Sequence, residues 1–389
     1  MVMLSNWLHK QTILQAAILV LFTIIIFFPL HFWQIAFHDI TDYTTYKEMV
    51  RYITVDQENW VEVANLPAWP FMVVTLTRIL SIRIWKAAFF TQMGMQVLLA
   101  IALFFYSKKE LPDAKTWLHI ALPLGIMLAA PVFLIAVKDR LLYFGYIGIN
   151  STHNPTIIAL KPFVILIFMA TTDAFRGEKK PLPMALLTAG LVIFSTLIKP
   201  SYISCLLPAA GIFFIKQAVS HQKIDLPFLF FSIALPAMLV LSYQFLLTYG
   251  SNENAIIFSP LTVMRNFSGW LLAKFILSIW FPLLASALYF NELLASIPML
   301  IAWLTFTFGA LYSYFLAEDG LRIFHGNFLW SGEISLFVLF AVTTFFFFKQ
   351  QRSKYPPQKW QTVFWIGFLP HIVCGVIYFI YCLMNNFYF

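Results

Sequence analysis

The sequence predicts an all-α polytopic membrane protein, a bundle of about eleven transmembrane helices, on two observations. Of its 389 residues 61% are hydrophobic and only 11% are charged, whereas a soluble domain carries roughly 25% charged residues. Apolar runs near the ~20 residues needed to cross a hydrocarbon core recur from one end of the chain to the other. A water-soluble globule is excluded.

Taken in order, candidate spans fall near 12–30, 87–106, 118–137, 156–173, 184–198, 201–219, 227–248, 270–290, 294–316, 332–348 and 361–385. The first follows Lys10 but is too long for a signal-peptide core and has no small-residue cleavage site behind it, so it reads as an uncleaved helix. One further apolar stretch, "ANLPAWPFMVVTLTRIL" at 64–80, is short, starts with Pro67 and Pro70 and runs into Arg78, Arg83 and Lys86. It is expected to lie in the interface or to re-enter. Cys205, Cys374 and Cys382 all sit in apolar segments, where they behave as small hydrophobes and imply neither a disulfide nor a metal site. No internal repeat, heptad pattern or soluble domain is visible.

The net charge of +8 is read as a topology signal rather than as a nucleic-acid footprint. With 64–80 not crossing, the N-terminus, 107–115, 176–180, 216–223 and 349–359 share one side and hold more than half of the 25 Lys and Arg residues. The positive-inside rule makes that side cytoplasmic. The N-terminus is then cytoplasmic, and 31–86, 138–154, 199–202, 251–269 and 318–327 face outward with the unusual polar residues.

The outward segment "FHDITDYTTYKEMV" (37–50) holds the first candidates. Asp39 and Asp42 are three apart and share a helical face, while Tyr43, Tyr46, Met49, Val50 and Ile53 form an amphipathic stripe. A carboxylate at the start of such an interfacial helix is favoured by the helix dipole and can take a proton from a hydroxyl; a solvated loop acid or an N-cap is the plainer role.

A first helix, an outward loop with Asp-x-x-x-Tyr, an amphipathic helix and then "NLPAWPFMVVTL" (65–76) resembles the GT-C superfamily of membrane glycosyltransferases, which use polyprenyl-phosphate sugars. Asp39 with Tyr43 and Asp42 with Tyr46 both fit the family spacing. "GINSTHNPTIIAL" (148–160) and the helix, Lys-Pro, helix unit at 186–217 resemble the polyprenol-phosphate mannosyltransferase-like branch, family 87. The resemblance covers about the first 220 residues. It implies a catalytic membrane module over 1–220, including the loop 31–86, with helices of 221–389 completing the bundle and its cavity.

Under that resemblance the expected function is inverting transfer of a sugar from a polyprenyl-phosphate donor to a lipid-linked or glycan acceptor outside the cytoplasm. Asp39 or Asp42 is the base; Asp39 is preferred because it lies nearer the first span and pairs with Tyr43. Lys199, at the outer end of a span before Pro200, contacts the donor phosphate or snorkels. His153 and Asn154, just before Pro155, can hydrogen-bond sugar or phosphate. Arg140, Arg265, Arg322 and His325 are the remaining outward cations that can clamp a phosphate, and each can equally be a loop charge. Lys161 is expected to face the bundle interior or a water-filled cavity. "FHGNFLWSGE" (324–333) mixes aromatic and polar groups as sugar-stacking surfaces and interfacial belts both do.

No metal or other cofactor is expected, since a phosphate leaving group can be held by protein cations. The expected partners are the donor, the acceptor and the bilayer, with no nucleic acid, and the compact loops point to a bacterial inner membrane. The rivals are a transporter or lipid flippase, with which eleven spans and the intramembrane Lys161 and Lys274 are compatible but against which stands the lack of repeated halves and of a Gly/Pro-broken helix pair in matching positions, and a surface-polysaccharide polymerase or ligase relying on Arg140, Arg265 and Arg322.

Overall fold

The computed structural model describes residues 2–37, 41–54, 64, 67–250, 255–351 and 357–385. In chain order its principal helices are α1 (Val2–Phe37), α2 (Asp42–Thr54), α3 (Ala68–Leu80), α4 (Ile84–Glu110), α5 (Leu118–Leu128), α6 (Pro155–Phe175) and α7 (Leu182–Ile198). These are followed by α8 (Ser201–Val219), α9 (Leu226–Tyr249), α10 (Leu271–Ser278), α11 (Trp280–Leu288), α12 (Ile297–Phe315), α13 (Leu329–Gln350) and α14 (Gln358–Met384). A two-stranded antiparallel ribbon, β1 (Ile256–Phe258) on β2 (Leu316–Glu318), pairs Ile257 with Ala317. The protein is thus nearly all-α. Among the described residues eight helices, α1, α4, α6, α8, α9, α12, α13 and α14, are long and apolar enough to cross a membrane.

Of the three other predicted spans, 184–198 is helical throughout as the 17-residue α7, and two differ from expectation. The stretch 118–137 is helical only over Leu118–Leu128, about 16 Å at 1.5 Å per residue and half a hydrocarbon core. Ala130 precedes Pro131, which disfavours helical backbone before it, and the chain runs on without regular structure. Its freed backbone groups are met by protein: Asn150 Nδ2 donates to the carbonyls of Ile126 and Ala129 at 2.8 Å each, and His371 Nδ1 donates to that of Ala130 at 2.7 Å. The predicted span 270–290 is the pair α10 and α11, bent by 60°, and the N–H of Phe281 in its second half donates to His371 Nε2 at 3.2 Å. One imidazole, necessarily neutral with its proton on Nδ1, ties both interruptions together. Both predicted spans are therefore interrupted, and irregular backbone at this depth is tolerated because it is enclosed.

Gly375 on α14 makes that enclosure possible, since a Cβ there would lie 1.8 Å from the Leu128 carbonyl oxygen. Gly375→Ala is expected to destabilise the protein by about 1–3 kcal/mol through overpacking against backbone, read as a lower thermal midpoint in detergent.

The centre of the bundle is α13, whose residues Ser331 to Phe348 are all buried. A helix apolar on every side belongs in the middle of a bundle. α12 lies closely along it: a Cβ on Gly309 would fall 2.0 Å from Ser335 Oγ and 2.5 Å from the Ser331 carbonyl, the small-residue contact that brings membrane helices together.

The two ends of the bundle differ. At one, Asp173 accepts from Lys109 and, at 2.8 Å, from Lys180, while Glu110 meets Lys349 at 3.3 Å and Arg176 at 3.5 Å. Gln15 Nε2 on α1 donates to Thr116 Oγ1 at 3.2 Å nearby. The C-terminal ends of α4, α6 and α13 thus gather at a basic end. At the other, Trp85 at the start of α4 packs on Phe32 near the end of α1, ring centroids 6.0 Å apart, so the chain leaves and re-enters the bundle on the same side. Within that excursion lie α2 and the 13-residue α3.

Candidate functional site

The predicted stripe orders the approach to the site. Tyr43, Tyr46, Val50 and Ile53 of α2 are buried against α3, where Trp69 is fully enclosed and donates its indole N–H to Gln92 Oε1 at 3.3 Å. This packing holds Asp42, the first residue of α2, over the start of α6. That start is built by Asn154 and Pro155: proline preset for the first turn, and Asn154 as N-cap accepting from the Ile157 N–H at 3.0 Å. The same Asn154 donates through Nδ2 to Asp42 Oδ2 at 2.6 Å.

Thr156, one residue into the helix, links the carboxylate to an amine. Its hydroxyl donates to Asn154 Oδ1 at 2.8 Å and accepts from Tyr46 OH at 3.1 Å and from Lys199 Nζ at 3.3 Å, the one donor and two acceptors a hydroxyl has. Burial pushes the Tyr46 phenol up to about 12, so it stays a neutral donor. Lys199 occupies the connection between α7 and α8, where Pro200 keeps it extended. It is 7% exposed, so the snorkelling role gives way to an interior one. Its ammonium lies 4.9 Å over the Trp330 ring. Burial lowers its pKa to about 8, against the pull of the Asp42 and Glu333 carboxylates.

Glu333 was not among the sequence candidates. It lies in the first turns of α13, 2% exposed, and accepts from Tyr143 OH at 3.0 Å and the Ser151 N–H at 3.1 Å. His153 is enclosed between Tyr143 and Trp330, ring centroids 5.0 and 5.7 Å away, and burial holds its pKa below the ordinary histidine value. A lone acid inside an otherwise apolar helix is itself a functional signal, and that signal could have found Glu333.

From Lys199 a cavity of about 860 Å³ extends between α8, α9 and α12. Leu241, Phe245, Leu246 and Leu316 make part of its wall apolar. Elsewhere on the wall Glu318 accepts from Asn327 Nδ2 at 2.6 Å, Tyr249 OH at 2.9 Å and Arg322 Nε at 3.3 Å.

The sequence candidates separate accordingly. Asp42, Asn154, His153 and Lys199 come together, and Arg322 lines the cavity that Lys199 opens. Tyr43 is a core residue, fully buried on Trp69. Arg140, Arg265 and His325 are exposed and line neither the cavity nor the cluster. Asp39 lies outside the described residues. Lys161 faces the protein interior, donating to Asn150 Oδ1 at 2.7 Å, and Lys274 pairs with Asp139 at 2.5 Å; both are accounted for structurally. Among the described residues no three His, Cys, Asp or Glu side chains converge as a metal site would need.

Fold and site together define an integral, multi-pass helical membrane protein with a buried polar cluster at the end of the bundle opposite its basic end. No family model, no curated protein and no solved structure matches the chain.

Proposed function

We propose that the protein is an inverting glycosyltransferase of the membrane that moves a sugar from a polyprenyl-phosphate donor to a lipid-linked or glycan acceptor. The observation that carries this reading is the Asn154–Thr156 bridge, which joins the Asp42 carboxylate to the buried Lys199 ammonium at the wall of a cavity with a lipid-like lining. Asp42 removes the proton of the acceptor hydroxyl, whose oxygen forms the new bond at the anomeric carbon. The bond from that carbon to the donor phosphate oxygen breaks, and the phosphate leaves with the electron pair, held by Lys199. Arg322, on the same cavity wall, offers a second cation. The positive-inside rule puts the basic end in the cytoplasm, so the reaction faces the extracytoplasmic side, in a bacterial inner membrane with about eleven crossings in all.

The transporter alternative gains the broken elements around His371. Their freed backbone groups are met by Asn150 and His371, however, and Lys274 is neutralised by Asp139. Purified protein incubated with a panel of radiolabelled polyprenyl-phosphate sugars and membrane lipid tests the proposal: labelled product with at least one donor is the expected result, and none with any donor overturns it.

The Lys199 amine adds a pH signature. Its cation is present below about pH 8 and is lost as pH rises through that value, so kcat/KM, which reports the free enzyme, is expected to fall on the alkaline side. Lys199→Arg keeps its charge throughout, and the alkaline limb should vanish in that variant; a limb unmoved by the substitution assigns it to another group.

A further inference from the structure

A second cavity, of about 710 Å³, opens at the basic end between the C-terminal ends of α6 and α8 and the chain entering α12. No Asp or Glu lines it, and of its basic side chains Arg176 is paired with Glu110 and Asp173 at 3.5 Å each, which leaves Lys216 and Lys223. Neighbouring cations at this end are neutralised, Lys109 and Lys180 on Asp173 and Lys349 on Glu110. Lys216 and Lys223 have no carboxylate partner among the described residues; Lys216 instead lies 5.5 Å over the Phe213 ring. The floor beneath them, Phe175, Phe213, Leu294, Ile297 and Leu300, is apolar. Gln217 completes the wall, 7% exposed, with its Oε1 buried and accepting from no described group. A buried amide oxygen without a donor is costly, so the site favours a ligand that supplies one.

We propose that this cavity binds an anionic phospholipid: its phosphate between Lys216 and Lys223, an acyl chain on the apolar floor, and a headgroup hydroxyl donating to Gln217 Oε1. Each feature narrows the ligand. A free phosphate would meet the cations but leave the floor wet, and a zwitterionic lipid would bring its own ammonium against an already cationic rim. Phosphatidylglycerol supplies anionic phosphate, acyl chain and hydroxyl together, and basic pockets between membrane helices are suited to such headgroups. The site is independent of the reaction at the opposite end.

Thermal unfolding of the purified full-length protein in detergent, titrated with phosphatidylglycerol, phosphatidylcholine or inorganic phosphate, tests this. Phosphatidylglycerol is expected to raise the midpoint saturably while the other two do not. The half-saturating concentration should rise about tenfold or more in Lys216→Glu/Lys223→Glu, two phosphate-facing charges being reversed. Lys115→Glu/Lys179→Glu, the same charge change outside the cavity, should titrate like the unaltered protein. An equal response to phosphatidylcholine or to phosphate alone, or an unchanged titration in Lys216→Glu/Lys223→Glu, overturns the proposal. Should that variant fail to fold, Lys216→Gln/Lys223→Gln is examined by native mass spectrometry for retained phosphatidylglycerol, and retention equal to the unaltered protein overturns it likewise.

Discussion

Asp42→Asn is expected to lower sugar transfer by about 10²–10⁴-fold, the usual contribution of a positioned general base, with the thermal midpoint nearly unchanged. The amide cannot take the acceptor proton, yet its oxygen still accepts the 2.6 Å hydrogen bond from Asn154 Nδ2, so the start of α2 keeps its place. Asp39→Asn, measured beside it, decides between the two acids left open by the sequence. Loss in Asp42→Asn with Asp39→Asn at full rate confirms Asp42, and the reverse passes the role to Asp39. Full transfer in both folded variants would falsify the base assignment altogether.

Lys199→Met is expected to cost about 10²–10³-fold in kcat, as removal of one group stabilising charge that develops in the transition state does. The effect belongs in kcat because charge builds on the departing phosphate as the bond breaks, so the ammonium interacts more strongly there than in the bound donor. A purely structural lysine behaves differently. Removing one buried cation while the Asp42 and Glu333 carboxylates remain beside it leaves their charge uncompensated and is destabilising, so a structural role alone would lower the thermal midpoint and leave the rate per folded molecule unchanged, whereas slow transfer by the folded variant marks Lys199 as functional. A variant with both rate and stability unchanged would place the donor phosphate elsewhere, with Arg322 the next cation on the cavity wall.

The separation of the arginines bears on the polymerase or ligase alternative. Of the three on which that reading depended, Arg140 and Arg265 are exposed and apart from the cavity, and only Arg322 lines it, already paired with Glu318. The first-loop acid and Lys199 therefore carry the proposed chemistry.

Much of this was legible in the residues. The amphipathic stripe of α2 reads directly from helical spacing, and Tyr43, Tyr46, Val50 and Ile53 are buried as that spacing requires. The Asn154–Pro155 pair announces the start of α6, and Lys199–Pro200 the corner after α7, because proline restricts its own and the preceding residue's backbone. Spans 118–137 and 270–290 are interrupted where the sequence reads them as continuous, since apolar composition measures affinity for the membrane and is silent on whether helical hydrogen bonding continues through it. Glu333 closes the mixed aromatic and polar segment 324–333 but carried no role of its own, because the apolar span it begins gives no hint of what stands beside it.

By itself the sequence determined that the chain lives in a bilayer and which loops carry the positive charge, because partition into hydrocarbon depends on local composition. It also marked the local capping and turn residues, whose effects reach only a few positions along the chain. Only the tertiary structure decided that Asp42 and Lys199, 157 residues apart, meet through Asn154 and Thr156, that Glu333 and Trp330 of the central helix stand beside them, and that His371 closes two broken helices. Those are contacts between distant segments, set by how side chains of several helices fill one another's gaps, and no local pattern encodes them.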